Sequence, residues 1–221
     1  MRSSTRFALA AGFVALSALA SVLAAPALPA RVVTHWNASG VPDGTMAKPF
    51  ALAFVPALTA VLLAVFAAIP RIDPLRENVE AFRPQYDWFV VLFAGYMLAV
   101  HLGTLAFNLG YRFDFTRFVL AAVAVLFYYV GVVLDHAEPN WFVGIRTPWT
   151  LSDPEVWART HALGSRLFKL SAVVALVGLL FGRYAVYFLL VPALATAVVT
   201  VAYSYYAYRH LDETTARAPG P

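Results

Sequence analysis

The chain contains no cysteine, which excludes disulfides, thiolate metal sites and thiol catalysis. Charge is nearly as scarce: 13% of its 221 residues are Asp, Glu, Lys or Arg, against 61% that are apolar. At a mean hydropathy of +0.71, so little polar surface cannot coat a compact soluble fold, and the chain belongs in a bilayer. The formal charge of +4 does not signal nucleic acid, because the 16 Lys and Arg are scattered between apolar runs instead of forming a basic stripe. Zinc-protease helix motifs, nucleophile elbows and phosphate-binding glycine loops are also missing, which argues against a membrane enzyme. No cofactor or metal site is expected.

What the chain has instead is long apolar runs. A helix needs roughly 20 apolar residues to cross about 30 Å of hydrocarbon. Six stretches qualify: 7–25, 50–69, 86–109, 117–134, 166–182 and 184–208. The expected fold is an all-α integral membrane protein with six transmembrane helices. The last two are separated only by Gly182 and Arg183, which forces a tight antiparallel hairpin. The first run, with Arg2 and Arg6 before it and "SVLAAPA" at its end, also has the outline of a secretory signal, but its apolar stretch is longer than a signal core and is expected to stay as an anchor.

Orientation follows the cations. With the amino terminus inside, the cytoplasmic segments hold Arg2, Arg6, Arg71, Arg76, Arg83, Arg146, Arg159, Arg166, Lys169, Arg209 and Arg217. The outer loops keep only Arg31, Lys48, Arg112, Arg117 and Arg183. Both termini are therefore expected in the cytoplasm of a multi-pass cell-membrane protein.

This orientation puts "VTHWNASGVPDG" outside. "RVVTHWN" has the β-branched and aromatic content of a short extended piece, and "SGVPDG" is turn chemistry. In the plain reading, Gly40 and Gly44 permit turns, Asp43 caps one, and Trp36 anchors at the interface. In the sharper reading the segment is a compact outer polar cap whose His35, Asn37 and Asp43 converge on a ligand or on another polar group, with Trp36 a further candidate contact. His35 and Asp43 are two potential metal ligands without a third at a recognised spacing. In the third run, His101 shares a stripe with Thr104 and Asn108 at i+3 and i+7, climbing toward the same leaflet. That stripe is either interhelical glue at about 0.6 kcal/mol per bond or the floor of a site shared with His35, Asn37 and Asp43. A small transporter or channel built on His101 stands as an alternative use. The i+4 series Thr196, Thr200, Ser204 and Tyr208 reads as packing.

The inner connector "NWFVGIRTPWTLSDPEVWARTH" is the other dense region. "SDPE" reads as a capping box, with Ser152 at the N-cap and Glu155 at N3, starting a short helix over 153–164 that either stops at Gly164 or bends into the fifth span. Trp141, Trp149 and Trp157 suggest that this cytoplasmic helix lies along the membrane interface. Pro148 is expected to break any helix, leaving Arg146 free for lipid phosphate, a carboxylate or a protein partner. Arg146, Thr147, Trp149, Trp157 and His161 are the candidate inner contacts for lipid or partner.

Together, "LPARVVTHWNASGVPDG" and "NWFVGIRTPWTLSDPEVWARTHALG" resemble the SdpI family of multi-spanning membrane proteins and the domain of unknown function that often forms its amino-terminal half. The match rests on Pro29, His35, Trp36, Asn37, Gly40, Asp43 and Gly44, and on Asn140, Gly144 to Leu151, Trp157, Thr160 and His161. It implies two halves, 1–115 and 116–221, of three helices each. It also implies immunity against a secreted membrane-active peptide toxin outside the cell, signalling through a repressor-type protein held at the membrane inside, and no direct binding of nucleic acid.

Overall fold

A computed structural model describes residues 2–216, so Arg217 of the cation count lies outside the described residues. The elements are α1 (Ser3–Ala24), β1 (Arg31–Trp36), β2 (Pro42–Ala47), α2 (Lys48–Ile72), α3 (Arg76–Ala81), α4 (Arg83–Asn108), α5 (Phe115–Leu134), α6 (Pro148–Ser152), α7 (Pro154–Gly178) and α8 (Ala185–Ala216). Among the described residues, five apolar helical segments are long enough to cross a membrane: Ser3–Ala27, Lys48–Ile72, Arg83–Asn108, Phe115–Leu134 and Pro154–Leu211. Pro154–Leu211 is folded back on itself. A 3₁₀ turn over Leu179–Tyr184 reverses the chain at Gly182, whose φ of 58° is cheap only for glycine. The Ser171 and Thr196 hydroxyls then meet at 3.2 Å and the Phe181 ring stacks on Phe188, so α7 and α8 run antiparallel.

Successive long helices alternate in direction. The chain start, α3, the connector 135–153 and the last turns of α8 gather at one end of the bundle; the β1–β2 hairpin, the 109–114 turn and the Leu179–Tyr184 turn gather at the other. At the connector end, Asp73 ties two loops by accepting from Leu75 N at 2.7 Å and Trp141 N at 3.0 Å, while Asn78 donates to Pro139 O at 2.7 Å. At the hairpin end, Lys48 Nζ donates to the Ala25 and Leu28 carbonyls, at 3.1 Å each, covering acceptors that the end of α1 leaves open. α1 packs against α4 and α2, α5 against α7, and α7 against α8, with α4 and α5 sharing the seam between the two groups.

Two differences from the sequence reading concern the connector. The segment expected to lie along the membrane surface, ending at Gly164 or bending into the fifth span, forms the first turns of the continuous helix α7, and its N-cap is Asp153, whose carboxylate accepts from Glu155 N at 2.7 Å and Val156 N at 2.9 Å. Ser152 instead donates back to Trp149 O. Pro148 does not break a helix but starts one: it occupies the first turn of α6, behind a capping box made by Thr147 and Thr150. The position that suits proline in a helix is the one where its missing N–H has no partner to lose.

The main core lies at the connector end, where Val79, Phe82, Tyr86, Val90, Val133 and Trp157 close around one another. Beside it sits an ion cluster the hydropathy pattern conceals. Asp87 is fully buried one turn into α4, 2.7 Å from Arg83 Nε and 3.6 Å from Arg6 Nη1 of α1, and Arg83 also reaches Glu80. Breaking a buried pair by removing one partner leaves the other charge stranded and costs about 3–5 kcal/mol. Asp87→Ala should therefore lower the melting temperature of the detergent-solubilised protein sharply, and adding Arg6→Met should recover part of the loss. An Asp87→Ala protein that melts like the parent would contradict this role.

Candidate functional site

The hairpin sits over the α2, α4 and α5 ends and roofs a cavity of about 710 Å³. β1 and β2 pair antiparallel from Arg31↔Ala47 to Trp36↔Pro42, with the register broken on either side of His35. Asn37 shapes the tip, its side-chain oxygen accepting from Ser39 N at 2.9 Å and Val41 N at 3.1 Å. The sequence reading found the extended character of β1 but took the facing residues of β2 as turns only.

The hairpin is fastened to the helices at two points. Asn108, at the end of α4, grips the β1 backbone in both directions: its Oδ1 accepts from Val33 N at 2.8 Å and its Nδ2 donates to Val33 O at 2.9 Å. Trp36 lies flat on Phe115 of α5, centroids 3.8 Å apart, with Phe107 edge-on at 5.2 Å. Trp36 is thus an intramolecular anchor, as its flat aromatic surface permits, where the sequence suggested a lipid-interface one.

Of the outer candidates, His35, Trp36, Asn37 and His101 line the same cavity. Asp43 is not in the lining but accepts from the exposed His35 ring, Nδ1 to Oδ1 at 2.5 Å, and so fixes its orientation. His101 is 1% exposed. Its Nε2 lies 2.7 Å from Ser21 Oγ, and Ser21 in turn donates its single proton to Leu52 O at 2.8 Å. One serine hydroxyl thereby joins α1, α2 and α4. Thr104 donates to Val100 O, so each member of the expected stripe is bonded within the fold. Ser21 was missed in the sequence, although Ser17 and Ser21 at i+4 spacing, alone among apolar neighbours, were a readable sign of a polar face on α1.

At the other end, the connector is bolted to α7 and α8 from inside. His161 Nε2 accepts from Ile145 N at 3.0 Å and its Nδ1 donates to Trp157 O at 2.9 Å, which fixes a neutral ring. The Trp157 and His161 rings stack at 3.9 Å, and Trp157 Nε1 donates to Ala137 O at 2.7 Å. Thr147 donates to Ser204 Oγ of α8 at 3.0 Å, and Thr150 to Ile145 O at 2.8 Å. Asn140 is fully buried and all four of its side-chain bonds go to the connector backbone, at Glu138, Phe142 and Val143. Thr147, Trp157 and His161 are therefore interior groups rather than the surface contacts their residue types suggested. The outward face consists of Trp141, Phe142 and Arg146, with Arg146 donating to Trp141 O and a half-buried Trp149 resting on Tyr205 of α8.

Apolar helices that reverse direction again and again, with polar groups bonded inward and loops fastened at both ends, define a multi-pass α-helical membrane protein. Residues 136–204 match the model of the SdpI/YfhL protein family, and residues 12–60 that of a domain of unknown function, DUF1648. These segments contain both motifs and together span more than half the chain. Over 200 residues the chain is 24% identical to Immunity protein SdpI of Bacillus subtilis (strain 168), an alignment covering 90% of this chain and 94% of that relative. The chain is thus similar to SdpI-family proteins over most of its length. No solved structure matches it.

Gly144 shows how tightly the connector is held. Its φ is 121°, and a Cβ there would collide with His161 Nε2. Gly144→Ala should cost more than about 2 kcal/mol, from backbone strain plus loss of the His161 bond. Gly12→Ala, where a Cβ meets nothing within 4 Å, should leave thermal unfolding in detergent unchanged. Equal melting of the two variants would contradict the arrangement.

Proposed function

We propose that this protein confers immunity against a secreted membrane-active peptide on the cell that makes it. The observation that carries this reading is the near full-length similarity to Immunity protein SdpI, which takes in both ends of the molecule and not one motif alone. In this reading the chain crosses the cell membrane six times, in two halves, 1–115 and 116–221, with both termini in the cytoplasm. The hairpin then faces outward, where His35, Trp36, Asn37 and Asp43 meet the peptide. The arrangement supports this use, since the exposed His35–Asp43 pair stands at the rim of a cavity whose floor includes His101.

The inner face has its own role in this reading. The exposed patch of Trp141, Phe142 and Arg146 on a rigid connector suits a protein partner of the repressor type, held at the membrane and released on signal. Aromatic and arginine side chains are the groups most often found at the energetic centre of such contacts. The protein is assigned no enzymatic step.

Sensitive bacteria making this protein should survive a panel of secreted membrane-active peptides at least tenfold better, by colony count, than the same cells without it, for at least one peptide. Equal survival across the panel would remove the immunity reading. His35→Ala should express at the parental level, because the ring is 70% exposed, and should lose most of the protection. Lost expression would mark His35 as a structural residue instead.

A further inference from the structure

The outward side of α2 carries a groove with a charged head and an apolar body. Its volume is about 610 Å³, and below the hairpin it is lined by Phe50, Ala53, Phe54, Ala57 and Val61. All five are exposed, so in a bilayer the groove opens on lipid. From Phe50 to Val61 the helix runs about 16 Å at its standard rise, which matches half of a hydrocarbon core of about 30 Å. The groove is therefore one leaflet deep. A second groove, toward Val22 and Ala25 of α1, shares Ala53 and Ala57 with the first, so two chains can lie side by side along α2.

Arg31 of β1, itself exposed, is the only charged side chain in the lining of either groove. Among the described residues no carboxylate pairs with it; Thr45 on the facing strand holds it instead. Its Nε donates to the Thr45 hydroxyl at 3.0 Å and its Nη2 to the Thr45 carbonyl at 3.2 Å. These two bonds use one edge of the guanidinium. The edge between Nη1 and Nη2 keeps its pair of N–H groups, the fork that takes two oxygens of a phosphate. Lys48, the neighbouring cation, is spent differently, on the Ala25 and Leu28 carbonyls.

We propose that the two grooves hold one anionic phospholipid of the hairpin-side leaflet, its phosphate on the free edge of Arg31 and its acyl chains along α2. A cation at head-group level above an apolar trough is the arrangement such a lipid complements. A choline or ethanolamine head would add an ammonium beside Arg31, and no Asp or Glu lines either groove to receive it. A glycerol head adds only hydroxyls. A second copy of the chain fits poorly: a closed α2–α2 dimer in one bilayer has its two-fold axis along the membrane normal, which sets Arg31 against Arg31 at one height with no carboxylate in the lining between them. The assignment stands apart from the immunity reading, since it depends neither on a toxin nor on which leaflet is the outer one.

The test is native mass spectrometry of the full chain, released from detergent after incubation with an equal mixture of dioleoyl phosphatidylglycerol and dioleoyl phosphatidylcholine. The parent should retain phosphatidylglycerol in preference by about tenfold, the effect of one charge-assisted hydrogen bond. Arg31→Gln should lose that preference. Arg112→Gln, which removes an exposed cation from the 109–114 turn at the same end of the bundle, should keep it. Ala57→Trp fills both grooves from an exposed position with Arg31 left in place, and should bring retained phosphatidylglycerol down to the level of Arg31→Gln. Each variant is checked for parental melting in lipid-free detergent; if Arg31→Gln melts early, Ala57→Trp decides alone. Equal retention of the two lipids by the parent, an equal loss in Arg31→Gln and Arg112→Gln, or unchanged retention in Ala57→Trp would overturn the proposal. So would a mass of two chains that Ala57→Trp abolishes, which would put a second copy in the groove.

Discussion

Hydrocarbon offers no hydrogen-bond partner, and that constraint organises the molecule. A polar side chain on an apolar helix finds its complement either on its own helix, as Thr104 does at Val100 O, or on another element, where it becomes a fastening. The Ser21 hydroxyl binds α1 to both α2 and α4. The Tyr86 hydroxyl donates from α4 to Phe66 O of α2 at 2.7 Å, and the Thr147–Ser204 bond fixes the connector to α8. Asp87 follows the same logic with charge: its burial is tolerable because Arg83 comes from its own helix and Arg6 from α1. Each bond is worth little by itself, yet together they choose which faces of otherwise uniform helices meet.

The two motifs use these fastenings differently. In the connector, the distinctive residues are mostly internal supports: Gly144 leaves room for His161, His161 holds Ile145, and Thr147 and Thr150 cap α6. Their work is to present a rigid face carrying Trp141, Phe142 and Arg146. In the hairpin, support and exposure are divided between neighbours along the strand. Val33 is gripped by Asn108 and Trp36 lies on Phe115, while His35 between them stays open to solvent over the cavity. Rigid backing beneath an exposed polar group is what a recognition site requires.

Much of this was legible in the sequence, because hydropathy responds directly to burial in lipid. The long helices, the reversal at Gly182 and the extended start of the hairpin all followed from local pattern. The start of α7 did not. Glu155, Arg159 and Arg166 point outward and give the segment a surface character, whereas Val156, Trp157, Thr160, His161, Gly164 and Ser165 form the buried stripe of one continuous helix. Composition caught the first face, and only the i, i+1, i+4, i+5 pattern marks the second. Asp87 escaped for another reason: with Arg83 four residues earlier it has the pattern of an ordinary helix-surface ion pair, and its burial follows only from packing against α1, whose Arg6 is distant in sequence. The cavity is a property of how the hairpin rests on the α2, α4 and α5 ends, and no local pattern encodes that. Of the candidate outer group, the convergence of His35, Asn37 and His101 was readable from shared leaflet and polarity, while the clamp role of Asn108 depended on the register of a strand that had not been recognised as paired.

The proposed function requires the hairpin and the connector to lie on opposite sides of one bilayer. The absence of native cysteine makes that directly measurable, since single cysteines can be placed at Ser39 in the hairpin tip and at Arg146 in the connector. A membrane-impermeant maleimide added to intact cells should label Ser39→Cys at once and Arg146→Cys only after permeabilisation. Labelling of both positions from the same side, in either order of treatment, would contradict the account.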